Sequence, residues 1–204
     1  SIPARVLGSV EDELARYQAA CEQADRELQV LFESIKERAG EAEAGIFEAH
    51  QMMLADPTLE QKVRARVQAG EIIEQAVLAA STELASILAG MPDELFQARA
   101  ADVRDVGQRI LRILLGRSES ALNDLTEPSI IVADDLTPSD TAGLDPKLTL
   151  GFVTVQGGVT SHSAILARTL GIPAIVGLGE SLLEAVPPRT PLALDGMQGL
   201  LVVA

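Results

Sequence analysis

The sequence predicts two domains of different class, an all-α helical bundle over residues 9–117 and an α/β domain over residues 126–204. Three observations predict this. Apolar residues recur at spacings of three and four through the first half, which is the helical period. After Leu125 they gather into short runs separated by Gly, Pro and Asp, as strands joined by short loops do. The composition is 47% hydrophobic but only 2% aromatic, so Leu, Ile, Val and Ala must fill the cores, and such small side chains suit helices packed at close range. A chain of 204 residues is long enough for two modest domains.

Along the first half, Val10, Leu14, Tyr17, Cys21, Ala24, Leu28, Leu31 and Ile35 form a heptad seam that Gly40 closes. A second helix follows over 41–54 and stops at Asp56-Pro57-Thr58, where a short third begins and runs to Val67. Ile73, Val77, Ala80, Leu84 and Ile87 mark a fourth, stopped by Gly90-Met91-Pro92. Val103, Val106, Ile110 and Ile113 mark a fifth, ended by Gly116. These stripes need one another to be buried, hence a bundle. Residues 118–125, polar and without a period, predict the hinge, and residues 1–8 a leader.

In the second half, buried strands are expected at Ile130–Val132, Gly151–Val155, Ala174–Val176, Leu192–Leu194 and Leu200–Val203. Two helices fit between them. One opens at Thr137-Pro138, with Thr137 as N-cap, Pro138 at the first helical position and Asp140 at the third. The other spans about Ser161 to Leu170.

Charge and cysteine usage narrow the functions. Thirty acidic against 16 basic residues leave −14, which argues against nucleic acid and suits a basic protein partner. Cys21 is the only cysteine, no Cys/His cluster has zinc spacing, and no metal site is expected. No apolar run approaches 18 residues and no secretory leader is visible, so the expected setting is cytoplasmic and away from the membrane. The first residue is Ser, as in a piece of a longer protein.

Of two histidines, His162 has the chemically informative surroundings. Gly157 and Gly158 let the backbone turn, Thr160 or Ser161 caps a helix, and His162 falls in its first turn. Free N–H groups and the positive dipole end gather there, which welcomes phosphate and favours a neutral, nucleophilic ring. The hydroxyls of Thr160, Ser161 and Ser163 are expected to donate to phosphate oxygens. The arrangement implies a phosphohistidine, although a lone histidine after a glycine turn is more often a structural cap.

Residues Gly157–Arg168 resemble the phosphorylation-site signature of the phosphoenolpyruvate-utilising enzymes, and Thr169–Gly177 also resembles that family. Enzyme I of the sugar phosphotransferase system, pyruvate phosphate dikinase and phosphoenolpyruvate synthase share the signature, which marks a swivelling phosphohistidine domain of α/β fold. The helical half resembles Enzyme I in particular, through Ile46–Leu54 with Asp56-Pro57 and Arg99–Gly107, and Asp135–Ser139 lies where that family enters its second domain. The resemblance implies that His162 takes a phosphoryl group from phosphoenolpyruvate and passes it to a histidine of the carrier protein HPr. It makes Thr141 the residue that orients His162, and Gly157, Gly158, Thr160, Ser161, Ser163 and Arg168 the phosphate cradle. Met52, Met53 and Leu59 become the apolar patch that receives HPr, flanked by Glu41, Glu48 and Arg99. His50 matches a family histidine and is given a structural place or one at the docking rim.

Three departures qualify this. Val159 stands where Enzyme I commonly has Arg, as in a nitrogen-related or fused multiphosphoryl relative. The family's first strand is missing, unless residues 1–8 are its remnant. The barrel that binds phosphoenolpyruvate and Mg²⁺ and makes the homodimer is also missing. The fragment is therefore expected to be monomeric, to need no cofactor of its own and to exchange phosphate with HPr alone. The alternatives are the swivelling domain of a dikinase or synthase relative, or a non-catalytic adaptor.

Overall fold

The computed structural model describes residues 2, 5–117 and 125–203. The hinge expected at 118–125 lies, but for Leu125, outside the described residues. The chain forms two compact units, Ser1–Phe32 with Phe47–Glu119, and Glu33–Ile46 with Ser120–Ala204. The end of the first helix and the start of the second therefore group with the α/β unit.

The first unit is built from α1 (Val10–Ala39), α2 (Glu41–Leu54), α3 (Pro57–Gln68), α4 (Ile73–Ala89) and α5 (Glu94–Leu114), with α1 and α2 continuing into the second unit. Acidic Glu11, Asp12 and Glu13 open α1 while Lys36 and Arg38 close it, complementing its dipole. Asp56 caps α3 with Pro57 behind it, and Asp93 caps α5 through the Leu95 N–H. Tyr17, Leu59, Val63, Val67, Ile73, Val77, Val106 and Ile110 make the main core. At Gly107 a Cβ would fall 2.5 Å from the Cβ and Oγ of Ser81, so the absent side chain is what lets α4 and α5 pack this closely.

The leader forms no strand among its described residues. Arg5 instead reaches the helices, where its guanidinium binds Glu13 at 2.6 Å and Glu74 at 2.8 Å.

The second unit holds a parallel sheet in the order β1 (Ser129–Ala133), β2 (Thr149–Thr154), β3 (Ala174–Ile175). It also holds an antiparallel hairpin of β4 (Leu192–Asp195) and β5 (Leu200–Val203). Ile131 faces Phe152 and Val132 faces Val153 in register. Successive β2 residues point to opposite faces, so Phe152 packs with Ile131, Leu136, Leu144, Ala167 and Ile172, and Val153 with Val155, Ile175, Leu182 and Val186. Helices α6 (Pro138–Ala142) and α7 (His162–Thr169) stand where the sequence places them, and Thr137 and Asp140 complete a capping box.

Two details differ from expectation. A five-residue helix α8 (Ser181–Ala185) lies before Pro187-Pro188, too short for an apolar period to announce. The last strand, β5, is not buried. Its Leu200, Val202 and Val203 are exposed because β5 has only β4 as a partner, and Leu201 alone of its residues packs against the core.

Candidate functional site

The loop between β2 and α7 is held at its base by backbone and side-chain bonds. Gln156 donates its N–H to the Asp134 carbonyl at 2.9 Å and its amide to Asp134 Oδ2 at 2.8 Å. Its own carbonyl accepts Thr154 Oγ1 at 2.6 Å and the Gly177 N–H at 3.2 Å. The chain then turns through Gly157, at φ +97°, a conformation that side chains with a Cβ rarely adopt. The Gly158 carbonyl accepts the Ser161 N–H at 2.9 Å, which delivers the chain to the start of α7.

Ser161 is the cap: its Oγ accepts the Ala164 N–H at 3.2 Å. Accepting there leaves its hydroxyl proton available to donate. His162 is the first residue of α7 and is exposed, so its ring is open to a reactant. The first N–H groups of a helix have no acceptor within it, so α7 offers donors beside the ring. Thr160 is exposed on the same turn.

Three of the expected cradle and orienting residues are placed less simply. Ser163 is buried and donates its one hydroxyl proton to the Leu136 carbonyl, so it ties α7 to the segment entering α6 instead of facing a phosphate. Arg168 lies six residues along the helix from His162, about 9 Å of rise, and lines a separate open cavity with Val159 and Asp195. Thr141 is fully buried on α6, which packs against α7, and donates to the Thr137 carbonyl at 3.0 Å. A donating hydroxyl still accepts, although among the described residues no hydrogen bond joins Thr141 to His162.

His162 borders a small cleft of about 20 Å³ with Glu43, Ile46, Pro138, Ile165 and Leu166. Glu43 and Ile46 come from the start of α2, far away in the chain, and nothing in their local pattern links them to the histidine.

The expected docking residues divide between surface and core. Met52 is 71% exposed, Met53 is half-buried, and Leu59 is only 4% exposed and part of the main core. Met53, Leu59 and Arg99 nevertheless line one pocket of about 260 Å³, together with Leu84, Phe96 and Val103. Glu48 is exposed on α2. Glu41 is exposed in the other unit and lies 3.6 Å from Lys36. Among the described residues, no group of three or more His, Cys, Asp or Glu is arranged to hold a metal ion, and no helix is long and apolar enough to cross a membrane.

Known proteins match both halves. Residues 3–99 match the family of the PEP-utilising enzyme, N-terminal, and residues 125–199 that of the PEP-utilising enzyme, mobile domain. The phosphoenolpyruvate-protein phosphotransferase of Haloferax volcanii is 44% identical over 189 residues, covering 93% of this chain and 33% of that protein. The multiphosphoryl transfer protein of Rhodobacter capsulatus is 44% identical over 91% of this chain and 22% of its own length. The phosphoenolpyruvate-protein phosphotransferase of Priestia megaterium is 37% identical over 100% of this chain and 35% of its own. The chain thus spans about a third of the length of these phosphotransferases. The solution structure of an Enzyme I protein (nEIt) superposes with a TM-score of 0.72 at 38% identity, over 100% of this chain and 82% of the other. An N-terminal domain of Enzyme 1 - Nitrogen gives 0.69 at 30%, with the same coverage. With both halves matched in order and the identity spread over the whole chain, the protein belongs to the phosphoenolpyruvate-protein phosphotransferase (Enzyme I) family and corresponds to its N-terminal region.

Proposed function

We propose that His162 carries a phosphoryl group between phosphoenolpyruvate and a histidine of an HPr-type phosphocarrier. The observation that carries this reading is the exposed imidazole at the first position of α7, beside a glycine turn and the unpaired N–H groups of a helix start. A ring nitrogen of His162 attacks the phosphorus with its lone pair. The new P–N bond forms as the bond to the donor breaks, and the donor atom keeps the departing electron pair. Transfer onward to the carrier is the same step with the roles exchanged. The backbone N–H groups, Ser161 Oγ and Thr160 Oγ1 neutralise charge on the phosphoryl oxygens. Thr141 orients the ring by accepting the N–H of its other nitrogen, so that the attacking nitrogen faces outward.

The apolar pocket of Met53, Leu59 and Arg99 docks the carrier, with Met52 and Glu48 exposed on the same helix as Met53. By the family resemblance, phosphoenolpyruvate and Mg²⁺ bind outside these 204 residues, which span 33% of the Haloferax volcanii relative. These 204 residues then exchange phosphate with the carrier.

Incubation with phosphorylated HPr, followed by intact mass and mapping of acid-labile phosphate, tests the assignment. Label on His162, lost in a folded His162→Ala variant, is expected. Undiminished labelling of that variant overturns the assignment. HPr binding without any transfer points to an adaptor.

A further inference from the structure

His50 takes no part in the chemistry above, yet it is among the most deeply buried polar residues of the helical unit, at 1% exposure. Its ring projects from α2 toward α5. Nε2 lies 3.4 Å from Asp102 Oδ1, and Nδ1 lies 3.8 Å from Asp105 Oδ2 without a hydrogen-bond partner of its own. Asp102 and Asp105 stand one turn apart on α5, so the two carboxylates flank both polar edges of one imidazole. Phe47, one turn back on α2, meets the ring edge-on at 6.2 Å and 81°, which fixes its rotation.

The backbones of α2 and α5 barely come within 8 Å of each other, so side chains set their spacing. Both ends of this clamp sit one turn from the apolar pocket. Met53, three residues after His50, is the α2 residue lining it, and Arg99 and Val103 flank Asp102 on α5. An imidazole hydrogen-bonded to buried Asp102 and faced by buried Asp105 resists sliding and rotation of one helix against the other in a way that apolar contact does not. A buried polar pair has directional partners, and leaving either of them unpaired is costly.

We infer that His50 is a positioning residue for docking: through Asp102 and Asp105 it holds the Met53 wall of the pocket at a set distance from the Arg99–Val103 wall. The inference rests on the reading that this pocket receives the phosphocarrier, and its test separates the two.

The experiment uses His50→Leu, His50→Gln and Asp102→Asn with two readouts. The first is the methyl resonance of Met53 in methionine-labelled protein. The second is KM and kcat for transfer from phosphorylated HPr to His162. His50→Leu is expected to shift the Met53 methyl while the remote Met197 methyl stays in place, and to raise KM about tenfold with kcat retained. His50→Gln, whose amide N–H reaches Asp102 as Nε2 does, is expected to restore the Met53 resonance and to bring KM within about threefold of the parent. Should His50→Leu fail to fold, Asp102→Asn carries the test, with a shifted Met53 methyl and a raised KM expected. A Met53 methyl unmoved in the folded variant overturns the inference, as does a fall in kcat at constant KM. If the parent protein does not bind HPr but Met53 still responds to His50→Leu, the clamp stands and the docking reading falls.

Discussion

Thr141 donates its hydroxyl proton to the Thr137 carbonyl, and that carbonyl already accepts the Thr141 N–H at 3.0 Å. Removing the hydroxyl therefore orphans no buried acceptor, and Thr141→Val, which keeps the side-chain shape, should cost less than about 1 kcal/mol of stability. If Thr141 also orients the His162 ring, the same variant should slow labelling by about tenfold or more. A slow but fully folded Thr141→Val confirms orientation, and unchanged labelling rejects it. Ser163→Ala should behave in the opposite sense. The Leu136 carbonyl loses the Ser163 hydroxyl, so melting should drop by the equivalent of about 1 kcal/mol, with labelling affected only through the seating of α7. The sequence showed where these hydroxyls fall in the chain but not which way they point. Ser161 and Ser163 flank His162 alike, yet the register of α7 turns one to its cap and the other into the core.

Helix α4 begins at Ile73 without a cap of its own, since Ile72 has no side chain able to accept. The cap comes from α1, where Glu13 Oε2 accepts the Ile73 N–H at 2.9 Å and Oε1 accepts the Gly8 N–H at 3.1 Å. Arg5 binds the same carboxylate and Arg16 lies 3.7 Å from it, while Glu74 binds both arginines. Hydrogen bonds from Arg5 above all, opposed by burial, hold the Glu13 carboxyl at about 2 against an ordinary 4.5. Because the folded state binds this proton less readily than the unfolded one, the stabilisation is complete above pH 4.5 and is lost as pH falls through about 2. It amounts to on the order of 3 kcal/mol. Denaturant melts from pH 5 to pH 2 should show this loss in the parent and a shallower slope in Glu13→Gln, and equal slopes would refute the assignment. The apolar stripe placed α4 correctly from sequence because periodicity is local. Its cap was illegible because Glu13 precedes it by five dozen residues and reads as one more acid in the first turn of α1. Leu59, expected on the docking patch, also belongs to the main core while it lines the pocket, and its place was illegible for the same reason. A leucine at the start of α3 does not announce whether it meets a partner or, as here, the core of its own unit.

At the scale of the whole molecule, the excess of 30 acidic over 16 basic side chains is spread through the chain, whereas the proposed docking pocket is mainly apolar, with Arg99 and Asp56 as its charged lining. The two features act on different steps of association. Long-range charge steers a basic carrier toward the surface and is screened over about 10 Å at 0.1 M salt. Burial of apolar side chains in the pocket sets how long the complex lasts, and salt leaves that nearly untouched. For a basic phosphocarrier, the association rate should therefore fall about tenfold between 20 and 200 mM salt while the dissociation rate changes less than about twofold. Met53→Ala should do the reverse, speeding dissociation several-fold at every salt concentration with little change in association, because it removes pocket surface and no charge. Stopped-flow mixing of the fragment with the carrier measures both rates. A dissociation rate that rises with salt as steeply as association falls would mean that charged contacts hold the complex together, and the carrier would then be bound outside this pocket.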